Sequence, residues 1–229
     1  MVNNPYPGKF IVLAGVDGSG KDTQLRRLEN ALTFFPKVKV LRPFIKEPTD
    51  GPIGRRIRDI LANHDKEFYL GQNLTDAEFQ KFFIRDSIDH YQNVIIPTLK
   101  SGINVICGRG RESAIVYGGN TISEFKNIVD VHEEMFAEAN VPLIWPDLIV
   151  IYDVTSETAM RRMDASKKEK DAFENELKVR RVTSNYRALA ALYPNCQLVD
   201  AEPENEESEK TIFTDARQYI YPVLGIEPK

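Results

Sequence analysis

Gly15-Val16-Asp17-Gly18-Ser19-Gly20-Lys21 is the stretch that decides how this sequence folds. It follows an apolar run, Phe10–Val16, whose continuous hydrophobicity marks a strand buried on both faces. It precedes an amphipathic stretch, Thr23–Phe35, with helical periodicity. Strand, glycine-rich turn and helix in that order make a cradle for phosphate. The glycines let the backbone curl so that successive N–H groups point inward. The helix starting near Lys21 adds the positive end of its dipole, and Lys21 adds a mobile point charge. The phosphate-binding set read from this stretch is Gly15, Val16, Gly18, Ser19, Gly20, Lys21, Asp22 and Thr23. Lys21 is expected on an open loop rather than in the core. The residue after the lysine of this motif is usually Ser or Thr, whose hydroxyl ligates Mg²⁺, but here it is Asp22. A carboxylate beside a phosphate is repelled unless a cation lies between them. Asp22 therefore either reaches a metal or serves as a favourable negative charge in the first helical turn.

Working outward, apolar runs at Val38–Phe44, Asn104–Cys107, Leu148–Val154 and, more weakly, Gln197–Val199 read as further strands. Between and after the strands lie the amphipathic stretches Ile53–Ala62, Ala77–Leu99, Ser123–Ala139, Ser156–Met163, Phe173–Leu192 and Glu209–Tyr221. Strands alternating with helices predict an α/β fold built on a parallel sheet. The expectation is a P-loop NTPase-type three-layer sandwich. It has a five-stranded parallel sheet, helices on both faces and a short lid at about 161–172. No repeat and no Gly/Ser linker divides the chain, so residues 1–229 read as one domain.

Of the 229 residues, 42% are hydrophobic, enough for one sizeable core. The formal net charge of -4 argues against a nucleic-acid surface. An acidic chain must bind anionic phosphates through a local site. The apolar run Phe10–Val16 is too short to span a membrane, and the first nine residues lack the pattern of a targeting signal. A cytoplasmic location is expected. Cys107 and Cys196 stand far apart and read as two ordinary thiols.

Four further blocks accompany the loop: Lys46-Glu-Pro-Thr-Asp-Gly-Pro-Ile-Gly54, Phe82-Phe-Ile-Arg-Asp-Ser-Ile-Asp-His90, Val105-Ile-Cys-Gly-Arg-Gly-Arg-Glu-Ser-Ala-Ile-Val-Tyr-Gly-Gly119, and the segment from Pro146 to Leu192. Together with the loop, they resemble the thymidylate kinase family of nucleoside monophosphate kinases from about Lys9 to Ile226. The resemblance implies ATP and Mg²⁺ as cofactors, small-molecule nucleotides as partners, and a homodimer. It implies that Asp17 sits near the acceptor's sugar and meets the metal through water. It also implies that Lys46, in place of the family's Arg, holds the acceptor phosphate beside Pro48. Lysine keeps the charge of that Arg but loses its bidentate fork. Phe83 matches the aromatic that stacks on the acceptor base. The family's base-reading Arg is replaced by Ser87, with Arg85 two residues away. Arg109 matches the Arg that bridges the phosphates, Ser113 falls in the same block, and Tyr117 matches the aromatic that favours deoxyribose. Gly108 replaces the family's Asp, and Gly110 its Tyr or His. The loop carries no Arg, so positive charge is expected from the lid stretch, with Arg161, Arg162, Lys167, Lys168 and Lys170.

Read from the residues themselves, Gly108–Gly119 is an Arg- and Gly-rich loop after a strand end, where α/β sheets bind ligands. The reaction that the resemblance implies is transfer of the γ-phosphoryl of ATP to a deoxynucleoside monophosphate, with dTMP to dTDP foremost. Its catalytic set is Lys21, Asp17, Arg109, Arg161 and Arg162. Two other readings stay open. One is a deoxynucleoside kinase, for which Glu47 is the local candidate base. The other is a nucleotide-binding regulator without turnover, suggested by the loss of both the loop hydroxyl and the Asp before Arg109.

Overall fold

The computed structural model describes residues 2–62, 76–119, 121–165, 176–202 and 206–227. In chain order the elements are β1 (Val2–Asn3), β2 (Phe10–Ala14), α1 (Lys21–Ala31), β3 (Ile45–Lys46), α2 (Pro52–Ala62), α3 (Asp76–His90), α4 (Ile96–Lys100) and β4 (Val105–Gly108). They continue with α5 (Arg111–Gly118), α6 (Ile122–Glu138), β5 (Ile144–Trp145), β6 (Leu148–Asp153), α7 (Ser156–Ala165), α8 (Glu176–Leu192), β7 (Cys196–Asp200) and α9 (Glu206–Val223). Five strands form one parallel sheet in the order β3-β4-β2-β6-β7. Its centre is β2, which pairs Ile11 with Ile106 on one side and Leu13 with Val150 on the other. Every residue of β2 and β4, and all of β6 but Asp153, is buried. That is why those runs are apolar throughout rather than alternating. From β2 the chain goes first to β3 and β4 on one side and crosses to β6 and β7 on the other later, so a crevice opens at the C-terminal ends of β2, β4 and β6.

Three local expectations need correction. The strand expected at Val38–Phe44 contributes only an isolated bridge from Val40 to Asn104, and the ladder to β4 is made by Ile45 and Lys46. Pro43 has no N–H to give to a ladder, which moves the pairing past it. The helix expected over Ala77–Leu99 is α3 and α4 joined through a π turn, Tyr91–Ile95. Pro97 cannot donate to the carbonyl four residues back, and the wider turn just before it accommodates that loss. The loop expected over Gly108–Gly119 is mostly helix α5. Its buried Arg111, Glu112, Ile115 and Val116 recur at helical spacing, a pattern masked by the flanking glycines. A small second sheet pairs β1 with β5, which the sequence reading had not foreseen.

Candidate active site

Between β2 and α1 the loop curls as its glycines allow. Gly20, at φ 85°, caps α1, and no side chain accepts from the first-turn N–H groups there. The Thr23 and Gln24 N–H groups donate to the Gly20 carbonyl at 3.0 and 3.1 Å, and the N–H groups ahead of them point out of the helix end, where an anion can meet them. Gly18, at φ +82°, lies so close to α7 that a Cβ would stand 2.4 Å from the Ala159 carbonyl oxygen. The hydroxyl of Ser19 is buried without a hydrogen-bond partner among the described residues. An orphaned donor inside a phosphate-sized loop suits a phosphate oxygen.

Lys21 is buried, 4% exposed, rather than lying on an open loop. Its side chain folds back along the loop, and its ammonium donates to Asp17 Oδ1 at 2.8 Å. The same oxygen accepts from Arg109 Nη2 at 2.5 Å, so Asp17 ties a cation at the start of α1 to one in the turn after β4. Burial pushes the Asp17 carboxyl up, but Arg109 and Lys21 outweigh it and hold the group well below the usual carboxylate range. Burial likewise works against the Arg109 charge, and Asp17 more than restores it. Arg109 takes a left-handed backbone at φ 68°, which only a short turn after β4 demands. Its guanidinium lies 5.5 Å from the centre of the Tyr117 ring and 3.4 Å from the Tyr117 hydroxyl. Tyr117 is fixed in turn through its helix. Asn185 on α8 donates to the carbonyls of Val116 and Gly119, and Arg181 donates to that of Tyr117.

Beside this charge cluster opens a cleft lined by Asp17, Glu47, Pro48, Arg58, Leu61, Gln80, Phe83, Ser87, Arg109, Gly110, Ser113, Ala114 and Tyr117. Of the residues expected at the site, it gathers Asp17, Pro48, Phe83, Arg109, Ser113 and Tyr117. It does not gather Arg85, which is exposed and lies over the Phe82 ring, nor Lys46, which is exposed at the end of β3. Ser87 does face the cleft and donates to Glu47 Oε2 at 2.8 Å, while His90 Nδ1 lies 3.0 Å from Glu47 Oε1. The Asp86 carboxylate takes the Thr49 N–H and hydroxyl at 2.7 and 2.6 Å, pinning the turn after β3 to α3.

Below the cleft floor Glu112 is buried. Its Oε1 accepts from the Gly110 N–H at 2.9 Å and from the Ser113 hydroxyl at 3.0 Å. Burial raises its pKa to about 7, against the lowering effect of the Ser113 hydroxyl and backbone donors.

Asp22 is exposed at the start of α1, with Oδ2 3.9 Å from Lys21 Nζ. A side chain at Gly108 would point toward the same helix, its Cβ 3.1 Å from Leu25 Cδ2, one turn beyond Asp22. On α7, Arg162 donates to the Gly18 carbonyl at 3.4 Å and to that of Glu202 at 2.9 Å, so it braces the phosphate loop. Arg161 is exposed and reaches Thr158. Lys167, Lys168 and Lys170 lie outside the described residues.

Sequence reasoning passed over Arg58, Leu61, Gln80, Gly110 and Ala114 as cleft residues. A signal existed for one of them: Gln80, Phe83 and Ser87 stand at i, i+3 and i+7 on α3, one helix face. Arg58 and Leu61 carry no such mark, because α2 meets α3 only in the folded chain.

A model of the family described as thymidylate kinase matches residues 13–212. A thymidylate kinase of Pelotomaculum thermopropionicum is 34% identical over 223 residues, covering 95% of this chain and 94% of that one. One from Caldicellulosiruptor saccharolyticus is 32% identical over 219 residues, covering 95% and 98%. The crystal structure of thymidylate kinase from Ehrlichia chaffeensis superposes with a TM-score of 0.63 at 22% identity, over 93% of this chain and 98% of that one, which speaks for a common fold. With the phosphate loop, the Arg109–Asp17 tie and matches of this extent, the chain belongs to the thymidylate kinase family.

Proposed function

We propose that this protein transfers the γ-phosphoryl group of ATP to dTMP, giving ADP and dTDP. The observation that carries the reading is the junction at Asp17, where Lys21 of the phosphate loop and Arg109 of the acceptor cleft meet on one carboxylate oxygen. A phosphoryl donor on the loop and a phosphate acceptor in the cleft would face each other across that point.

Phosphoryl transfer needs in-line positioning and cancellation of spreading negative charge, with little covalent help. An acceptor phosphate oxygen attacks the γ-phosphorus as the bond to the β,γ-bridging oxygen breaks. Lys21 and the loop N–H groups hold the ATP phosphates. Arg109 holds the phosphates between donor and acceptor, with Lys46 swinging in from the end of β3. Asp17 orients the acceptor sugar once the phosphates draw its two cations away. Phe83 and Pro48 flank the base, Ser113 supports the cleft floor, and Tyr117 crowds the 2′ position. Arg162 braces the loop, and Arg161 belongs to the stretch that closes over the γ-phosphate and keeps water out.

Among the described residues no group of three or more His, Cys, Asp or Glu could hold a metal. Mg²⁺ binds through substrate phosphates and one or two carboxylates rather than a protein cage, and the phosphate loop offers Asp17 and Asp22 beside Lys21. Asp22 is the residue for direct contact and Asp17 for contact through water. When bound, the ion neutralises charge on the transferring oxygens. The carboxylate missing at Gly108 is supplied in this reading by Asp22, across the same small volume.

The whole chain acts as one domain, in a homodimer, in the cytoplasm, on free nucleotides and not on nucleic acid. A deoxynucleoside kinase is disfavoured because Glu47, its candidate base, is already engaged by Ser87 and His90. One experiment tests these alternatives. A coupled assay with ATP and each nucleoside and (deoxy)nucleoside monophosphate should give turnover highest with dTMP. Turnover on nucleosides, or none at all, overturns the proposal.

A further inference from the structure

Most polar side chains that line the cleft already have a partner. Asp17 holds Lys21 and Arg109, and Glu47 holds Ser87 and His90. Arg58 donates to the Pro48 carbonyl and to Asp50, and Ser113 donates to Glu112. Arg109 reaches the Tyr117 hydroxyl. Gln80 is the exception: its carboxamide oxygen is buried with no hydrogen-bond partner among the described residues. An unpaired buried amide oxygen weakens a fold, so its retention at the wall of a cleft points to a partner that arrives with the ligand.

The surroundings leave room for that partner. Gln80 precedes Phe83 by three residues, about 4.5 Å along the helix axis, so a ring stacked on Phe83 presents an edge to the Gln80 amide. Ala114, across the cleft on α5, offers no polar group to such an edge. Gly118 keeps the amide in place by having no side chain, since a Cβ there would stand 2.6 Å from Gln80 Nε2. Ser87, where the family resemblance puts an arginine, has its proton committed to Glu47 and cannot donate to the base.

We propose that Gln80 is the specificity-determining residue for the acceptor base: its Oε1 accepts the N3–H and its Nε2 donates to O4 of a thymine or uracil ring. A primary amide offers one acceptor beside one donor, the complement of the donor and acceptor on an imide edge. The inference rests on the acceptor reading given above and deepens it. It assigns to α3 a recognition that Ser87 cannot perform.

The test is kcat/KM of the full-length protein for dTMP, dUMP and dCMP, with Gln80→Leu and Gln80→Glu beside wild type. Gln80→Leu should lower kcat/KM for dTMP roughly ten- to hundredfold, mostly through KM, as loss of a bidentate base contact does. Its preference for dTMP over dCMP should shrink by a similar factor. Gln80→Glu cannot donate to O4 but can accept from the cytosine amino group, so its preference should move further toward dCMP. Without ligand, Gln80→Leu should melt at or above the wild-type temperature, because the oxygen it removes has no protein partner. If Gln80→Leu keeps the wild-type dTMP to dCMP ratio within about twofold, or melts several degrees lower while losing all acceptors in proportion, Gln80 is structural and the proposal fails. If wild type itself does not phosphorylate dTMP, the acceptor reading fails along with it. The two failures are told apart by the wild-type measurement alone.

Discussion

The two walls of the active site are built in opposite ways. The phosphate wall comes from seven consecutive residues and acts mainly through backbone N–H groups and Lys21, with Asp17 tying it to Arg109 of the opposite wall. The acceptor wall is assembled from the end of β3, α2, α3 and α5, and acts through side chains whose polar atoms mostly satisfy one another. A phosphate is recognised by any curl of N–H donors, so a contiguous motif suffices and tolerates little change. A base is recognised by shape and by a few hydrogen bonds, which different side chains can supply from different elements. Of the departures from the family resemblance, Ser87 and Gly110 fall on this wall, and Asp22 falls beside the phosphate wall.

The comparison can be broken most sharply on the phosphate wall. Lys21→Ala should reduce turnover a hundredfold or more, the usual cost of losing a charge that stabilises the transition state. A purified variant keeping above about a tenth of wild-type turnover would remove Lys21 from its role. Because Lys21 is buried against Asp17, its loss leaves Asp17 paired with Arg109, and far-ultraviolet circular dichroism should match wild type.

On the acceptor wall, Tyr117→Ala should raise kcat/KM for ribonucleotide acceptors relative to deoxy ones by about tenfold, as removing a steric gate does. A fixed ratio would make Tyr117 a packing residue that merely backs Arg109.

The boundary between the walls is tested by Asp22 and Gly108. Asp22→Thr restores the usual hydroxyl but supplies no carboxylate, so the Mg²⁺ needed for half-maximal rate should rise about tenfold. Adding Gly108→Asp should recover much of that loss, giving a coupled double-mutant cycle. Leu25 must shift its side-chain tip slightly to admit the new group. An Asp22→Thr variant as good as wild type at low Mg²⁺ would reduce Asp22 to a helix-start charge.

The smallest effect on activity concerns Glu112, which supports the acceptor wall from below. Its pKa is about 7 in the folded chain and about 4.5 when exposed, so the folded state binds more protons between these values. Stability from this group therefore falls as pH rises from about 4.5 to about 7, by an amount on the order of 3 kcal/mol, and is level above that. Glu112→Gln should flatten the melting-temperature profile across that window by several degrees relative to wild type. Parallel profiles for the two proteins would show that the carboxyl is ionised throughout. Asp17 has the opposite sign, its stability being lost only as pH falls below about 4, so the two do not overlap.

Local chemistry was legible without the fold. Apolar runs gave the buried strands β2, β4 and β6, because a strand covered on both faces needs no alternation. The glycine–lysine motif gave the loop, and helical spacing gave most helices to within a few residues. Pro43 and Pro97 displaced β3 and opened a π turn, effects of a missing N–H that composition alone blurs. Glycines around α5 hid a helix whose stability comes from packing against α3, α6 and α8. By itself the sequence determined the phosphate wall, since contiguous residues fix their own backbone geometry. Only tertiary structure decided the acceptor wall. Helical spacing puts Gln80, Phe83 and Ser87 on one face of α3, but that this face and not that of Arg85 borders the cleft, and that Lys46 stays outside it, depends on how α2, α3 and α5 come together.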